Sequence, residues 1–242
     1  MDQSYFIPRA LGIAAILIVV AFLSRVGWLV PHPKLEIPQT GENQGANLLG
    51  AVAHTATTTP AINVSEDGGA VLGDPASAVS IIEFNDFKCP ECKLFFQDIQ
   101  PKLFEEFIRT GKAHLALRNY PMYGDASWRS AEAAECAGAQ GSYWAYAEQL
   151  FKAQSPGDES IFTAEYLKKI ASAVLLDMQQ FNACLDTGQY RGEVERDAED
   201  AAAAGIAQTP TFIINGKLFA GPISWDEMKQ HVEEALNSIS NH

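Results

Sequence analysis

Two hydrophobic periodicities alternate along the chain from about residue 70 onwards. Beta-branched and aromatic residues are concentrated at 78–84, which is typical of a buried strand, and residues 113–119 have the same character. A segment of helical period separates them, and this order of strand, helix and strand predicts a parallel pair with a right-handed crossover. The apolar positions at helical spacing are Phe95, Ile99, Leu103, Phe104 and Phe107.

The remaining pattern adds helices and then a second set of strands. Strand signals at 211–214 and 217–220 flank Asn215-Gly216, the strongest short-range hairpin signal. A final amphipathic helix follows, and a short edge strand is expected at 70–72. The sequence therefore predicts an α/β fold with a helical insertion at about 125–204. Its helices are predicted at 126–140, 142–153, 163–174, 177–186 and 190–204.

The N-terminal part has a different composition. After a tail at 1–9, residues 10–30 are almost entirely apolar, with Arg25 placed to reach the interface beside Trp28, and they predict a single transmembrane anchor. A cleaved signal peptide is the alternative, although a small-x-small cleavage site lies only far downstream. Residues 31–61 are rich in Pro, Gly, Thr, Asn and Ala and predict a flexible linker.

The amino-acid composition excludes some classes of function. The 242 residues carry 17 Lys and Arg against 30 Asp and Glu, a formal charge of −13, which argues against nucleic-acid binding. With 47% hydrophobic residues the chain can build a sizeable core, which we place in one domain at 62–242. Four cysteines are too few for a disulfide scaffold.

The first strand leads into Cys89-Pro90-Glu91-Cys92. Proline is tolerated at the first position of a helix, so Cys89 is placed at a helix N-terminus, where exposed N–H groups favour an anion. The sulfur of cysteine attacks disulfides as the thiolate, and this spacing lowers the pKa of the first cysteine. A zinc site would need two further ligands at suitable spacing, and the sequence has none, so no metal is expected.

Several stretches together resemble the DsbA-like, thioredoxin-fold thiol–disulfide oxidoreductases. They are VLGDP (71–75), EFNDFKCPEC (83–92), RNYPM (118–122), AAECAGAQGSYWAYAEQLF (133–151) and GIAQTPTFIINGK (205–217). The resemblance covers about residues 62–238 and leaves out the anchor and linker. It implies a thioredoxin fold with a helical insertion and no bound cofactor.

The resemblance also implies roles for individual residues. Cys89 would be the more exposed nucleophile, and Cys92 would resolve the mixed disulfide. Pro210 would be a cis proline facing the two cysteines, and Thr209 before it would offer backbone groups to a substrate strand. Glu83 matches the buried acid that exchanges a proton with Cys92, although strand alternation could instead turn it to solvent.

The best-known members of the DsbA-like family have a histidine at the position of Glu91. At the position of Pro90 they have the same residue as this chain. A carboxylate repels a developing thiolate, so the active-site disulfide is expected to be less oxidising than with histidine.

Cys136 and Cys184 both fall in predicted helices of the insertion, and we expect a structural disulfide between them, with two separate thiols as the alternative. Such a bond persists in an oxidising compartment.

The sequence thus predicts a disulfide-forming oxidase held in the bacterial inner membrane, with its catalytic domain on the periplasmic side. Folding proteins are its expected substrates, and the resemblance implies a quinone-linked membrane protein that reoxidises it. A disulfide reductase or isomerase is one alternative. A redox-inactive thioredoxin-like binding module is another.

Overall fold

A computed structural model describes residue 64 and residues 69–240. The predicted tail at 1–9, anchor at 10–30 and linker at 31–61 lie outside these residues. Within the described part of the chain, no helix combines the length and the apolar character that a membrane span requires.

A five-stranded mixed sheet is the centre of the fold, with strand order β1-β3-β2-β4-β5. The central strand β2 runs parallel to β3 and antiparallel to β4, while β1 and β5 form antiparallel edges. Asn215 and Gly216, with φ of 43° and 80°, make the predicted hairpin turn. The strands are β1 Ala70–Leu72, β2 Val79–Asn85, β3 Ala113–Asn119, β4 Thr211–Ile214 and β5 Lys217–Ala220.

The helices follow the predicted order closely. Thr163 and Asp177 cap α5 and α6 through their side chains, and Gly188 ends α6 in the left-handed conformation. A 3₁₀ turn at Ser160–Phe162 precedes α5. The helices are α1 Pro90–Leu94, α2 Gln100–Leu103, α3 Asp125–Gly138, α4 Tyr143–Ala153, α5 Ala164–Ala173, α6 Met178–Thr187, α7 Arg191–Ala203 and α8 Trp225–Ser240.

The helix that follows the cysteines is less regular than its apolar spacing indicates. Wide π turns at Phe95–Ile99 and Phe104–Ile108 flank α2. Pro101 has no N–H to donate, and its ring would clash with the carbonyl four residues earlier in a regular α-helix. The first wide turn, closed by the N–H of Gln100 to the Phe95 carbonyl, lies directly before this proline.

Both faces of the sheet are covered. Val79 and Ile81 of β2 pack with residues of the helix that follows the cysteines and of α8. Ile82 and Phe84 point to the other face, where Ala201 of α7 joins them. Because both faces are buried, alternation along β2 exposes neither set of side chains. The helices α3 to α6 pack against each other and supply most of a second core that includes both active-site cysteines.

Candidate active site

Cys89 lies at the point where the β2 strand turns into α1. It is the N-cap residue of α1, with Pro90 as the first helical residue. Its own N–H donates to the Asp86 carbonyl at 3.0 Å, which closes the turn between strand and helix. The sulfur therefore lies beside the N–H groups of a first helical turn, as the sequence predicts.

The Cys89 sulfur is close to two oxygen atoms. Its Sγ lies 3.2 Å from the Thr209 carbonyl oxygen and 3.3 Å from Oε2 of Glu91. Cys89 and Cys92 are both free thiols, and both are 0% exposed. The expectation that Cys89 is the more exposed cysteine is therefore wrong for this structure, because the backbone before Pro210 approaches its sulfur closely.

The two thiols have opposite pKa shifts. Hydrogen bonding with the Cys92 thiol is the main cause that lowers the pKa of Cys89 to about 7, and burial and Glu91 oppose it. Burial is the main cause that raises the pKa of Cys92 well above its usual value, and the charges of Cys89 and Glu83 add to it. Near pH 7 a substantial fraction of Cys89 is therefore thiolate, while Cys92 stays protonated.

Glu83 is inside the protein, not at the surface. It is 1% exposed and lies on β2 between Leu117 of β3 and Phe212 of β4. Burial, together with the negative charge of Cys89, raises its pKa well above the ordinary value. Among the described residues, no partner donates a hydrogen bond to its Oε2 atom. Such a carboxyl keeps its proton to a higher pH than an ordinary glutamate and can act as a proton donor.

The peptide bond between Thr209 and Pro210 is cis, and β4 begins directly after it. The structure thus brings the predicted residues of the redox site together at one end of the sheet. These are Glu83, Cys89, Pro90, Glu91, Cys92, Thr209 and Pro210.

The other two cysteines lie in the helical insertion. Cys136 of α3 and Cys184 of α6 are joined by a disulfide, with their Cα atoms 5.9 Å apart. Two separate thiols, the alternative left open by the sequence, do not describe this structure.

Two residues that support the site are missing from the sequence-based set. Asp86 is 1% exposed and accepts from the N–H groups of Lys88 at 2.8 Å and Met122 at 2.6 Å. Gln154 donates through Nε2 to the carbonyls of Phe87 at 2.8 Å and Cys89 at 3.2 Å. An aspartate before a tight turn is a local signal that could reveal Asp86. Gln154 lies 65 residues from Cys89, and no local signal reveals it.

A second buried carboxyl lies away from the sulfurs. Burial, followed by the charges of Glu193 and Asp197, raises the pKa of Glu135 to about 8. Its Oε1 accepts a hydrogen bond from Nδ2 of Asn119 at 2.6 Å. Unlike Glu83, it belongs to a network of paired polar groups that includes the buried ion pair of Arg118 and Asp197.

Comparisons with known proteins agree with this geometry. The thioredoxin family model matches residues 65–234. Disulfide bond formation protein D of Bacillus subtilis is 31% identical over 172 residues, which cover 70% of this chain and 78% of that protein. The oxidised crystal structure of BdbD from Bacillus subtilis has a TM-score of 0.69 and 29% identity, covering 73% of this chain and 97% of that one.

A more distant structure shows the same fold. α-DsbA1 of Wolbachia pipientis has a TM-score of 0.63 at 22% identity, over 70% of this chain and 92% of that one. The chain therefore belongs to the thioredoxin family and is a DsbA-like thiol–disulfide oxidoreductase.

Proposed function

We propose that the protein is an oxidase that forms disulfide bonds in folding proteins of the bacterial cell envelope. The observation that carries thiol–disulfide exchange at Cys89 is the asymmetry of the cysteine pair, in which the pKa of Cys89 is lowered to about 7 and that of Cys92 is raised. Because thioredoxin, a reductase, also has a first cysteine of pKa about 7, this asymmetry does not set the direction of electron flow. A thiol of low pKa is the better leaving group, so a mixed disulfide at Cys89 breaks readily and passes its bond to the substrate. The similarity to a protein named for disulfide bond formation supports the same direction of electron flow.

The reaction begins with the disulfide form of the pair. A substrate thiolate attacks Sγ of Cys89, the bond to Cys92 breaks, and Cys92 leaves with the electron pair and takes a proton from Glu83. A second substrate thiolate then attacks the substrate sulfur of the mixed disulfide, and Cys89 leaves as a thiolate. The substrate loses two electrons and gains a disulfide, and the cysteine pair gains both electrons.

Thr209 and Pro210 would position the substrate. The Thr209 carbonyl lies 3.2 Å from Sγ of Cys89, so a strand paired with the backbone at this residue would pass directly over the sulfur. Pro90 and Glu91 would tune the thiol, because the first begins the helix and the second places a carboxylate beside it.

We place the catalytic domain on the periplasmic side of the inner membrane. A disulfide between Cys136 and Cys184 supports an oxidising compartment. The predicted anchor at 10–30 would hold the protein at the membrane, close to a quinone-linked protein that accepts the two electrons. Labelling of intact cells with a membrane-impermeant thiol reagent tests this placement, and protection of Cys89 in intact cells but not in lysed cells would contradict it.

One observation favours the opposite direction of electron flow. Glu91 lies 3.3 Å from the Cys89 sulfur and raises its pKa, which weakens the thiolate. A less stabilised thiolate makes the reduced pair less stable and the protein a better reductant or isomerase.

The equilibrium between the protein and glutathione decides between these directions. The oxidase proposal expects a reduction potential of Cys89 and Cys92 at or above about −200 mV, together with oxidation of a dithiol peptide. A Cys89→Ser variant should lose the reaction, and so should Cys92→Ser, which cannot form the active-site disulfide. Given a peptide that already contains a disulfide, however, Cys92→Ser should form a lasting mixed disulfide at Cys89 and release one peptide thiol. A potential near about −270 mV, as in thioredoxin, would instead support a reductase.

A further inference from the structure

A cleft beside the active-site turn takes no part in the proposed reaction. It has a volume of about 340 Å³ and lies between α1 and the segment that joins α4 to the 3₁₀ turn at Ser160–Phe162. This volume is at the lower end of the range for ligand pockets, so the cleft has room for a single large side chain. We call it the side cleft. Its apolar lining residues are Pro90, Leu94, Pro156 and Phe162, and its polar ones include Lys88, Lys93, Gln154, Ser155, Asp158 and Glu159.

The wall opposite α1 is tied to the active-site turn at both ends. At one end, Gln154 donates to the Cys89 carbonyl at 3.2 Å. At the other end, Nζ of Lys88 forms an ion pair with Glu159 at 2.8 Å. Because Lys88 directly precedes Cys89, both ties hold this wall at a fixed place relative to the nucleophile. The side cleft is therefore preformed, and its binding needs little further ordering.

The interior of the side cleft is suited to an apolar group. Leu94 is 56% exposed and lies one helical turn after Pro90, so the two residues form one apolar stripe on α1. The ammonium group of Lys88 is paired with Glu159, and that of Lys93 donates to the Gln154 carbonyl at 2.5 Å. Since both cations already have partners, an uncharged side chain that covers Leu94 is the better fit.

We propose that the side cleft binds one apolar side chain of the substrate protein, within a few residues of the substrate cysteine that joins Cys89. The inference rests on the proposed function. The occupant is an extended segment of an unfolded protein, which still exposes the apolar side chains that it later buries. Such a segment, held covalently at Cys89, lies next to Pro90 and hence at the mouth of the cleft. The cleft thus adds selectivity for a substrate side chain. Without it, the site would contact only the backbone and the cysteine sulfur of the substrate.

A peptide series tests this with the full-length, oxidised protein. Each reduced peptide carries one cysteine in a serine background, with a single leucine placed at one of the three positions before or after it. The second-order rate constant of reaction with the protein is measured for each. At one position, the leucine peptide should react about tenfold faster than the all-serine peptide. Equal rates at every position would overturn the inference.

Two variants locate the effect. Leu94→Asp places a carboxylate on the wall and should bring the leucine-to-serine rate ratio close to one. Leu175→Asp is the matched control, because Leu175 is 91% exposed and lies between α5 and α6, and it should keep the wild-type ratio. A wild-type ratio retained in Leu94→Asp would overturn the inference. If the wild-type protein oxidises no peptide at all, both the proposed function and the role of the side cleft are wrong. If it oxidises all peptides at equal rates, only the role of the side cleft is wrong.

Discussion

The protein contains two cysteine pairs that are equally buried and yet differ in chemistry. All four cysteines are at most 6% exposed. Cys89 and Cys92 are free thiols at the start of α1, whereas Cys136 and Cys184 are bonded between the interiors of α3 and α6. Burial alone therefore does not make a cysteine reactive or inert.

What separates the pairs is the polar surroundings of the sulfur. Cys89 lies at a helix N-terminus, near the Thr209 carbonyl and the Glu91 carboxylate, and the pKa values of its pair are split. In the middle of a helix, the backbone N–H groups are already bonded within the helix and cannot stabilise a thiolate. Cys89, at a helix start and hydrogen-bonded with a second free thiol, can thus hold a negative charge, whereas Cys136 and Cys184 are bonded to each other.

The largest effect is expected from removing the bonded pair. Replacing both Cys136 and Cys184 with alanine frees a loop with a sequence separation of 48 residues. The free energy of unfolding should fall by about 4 kcal/mol, because the unfolded chain gains conformational entropy. Calorimetry should show a Tm lower by roughly 10 °C, while exchange activity well below that Tm stays near wild type. A folded variant that has lost its activity would contradict the separation of roles between the two pairs.

A smaller effect is expected at the reactive pair from Glu83→Gln. The variant cannot give a proton to Cys92 when the active-site disulfide opens. The rate of mixed-disulfide formation should therefore fall by about 100-fold, the lower end of the range for loss of a general acid. Stopped-flow measurement of the reaction with a peptide thiol checks this. An unchanged rate would remove Glu83 from the mechanism.

Glu135→Gln is the matched control, since both variants replace a buried carboxyl with an amide that cannot give up a proton. Its exchange rate should be unchanged because Glu135 bonds to Asn119 and contacts neither sulfur. The variant should instead differ from wild type in how its stability depends on pH. The Glu135 pKa is raised from 4.5 to about 8 in the folded state, so the folded state binds the proton more tightly between these values. Wild-type stability should fall as pH rises through this window, by up to about 1.4 kcal/mol per pH unit, and the variant should lack this contribution.

The smallest effect is expected from Glu91→His, which changes a single charge beside Cys89. Removing the carboxylate 3.3 Å from the sulfur should lower the pKa of Cys89 by about one unit. The active-site disulfide should become more oxidising by about tenfold in equilibrium constant, or about 30 mV. Equilibration of both proteins with glutathione measures the difference. A less oxidising histidine variant would show that Glu91 does not weaken the thiolate.

Local patterns in the sequence predict most of the fold and the position of the reactive pair. These patterns involve residues that are close in sequence, and they agree with the structure. They are the apolar run of β2, the proline after Cys89 and the apolar spacing of the helices. The cover over Cys89 could not be predicted in the same way. It depends on Thr209, which lies 120 residues away and approaches through the backbone.

Three further features of the structure could not be predicted from the sequence, because each depends on contacts that local patterns do not specify. The tie between Gln154 and the Cys89 carbonyl joins a helix end in the insertion to the active-site turn, and nothing in either segment specifies the other. The wide turn before α2 is explained by Pro101, whose effect on the helix cannot be predicted from the apolar spacing alone. The burial of Glu83 follows from the packing of helices on both faces of the sheet, which the pattern of β2 alone does not specify.

The titration of the two thiols tests the central claim most directly. The reduced protein is treated with iodoacetamide over a range of pH, and the modified cysteine is identified by mass spectrometry. The account predicts that Cys89 alone reacts, with a midpoint at about pH 7, and that Cys92 stays unmodified through the same range. A midpoint for Cys89 at or above its ordinary pKa, or equal modification of both cysteines, would contradict it.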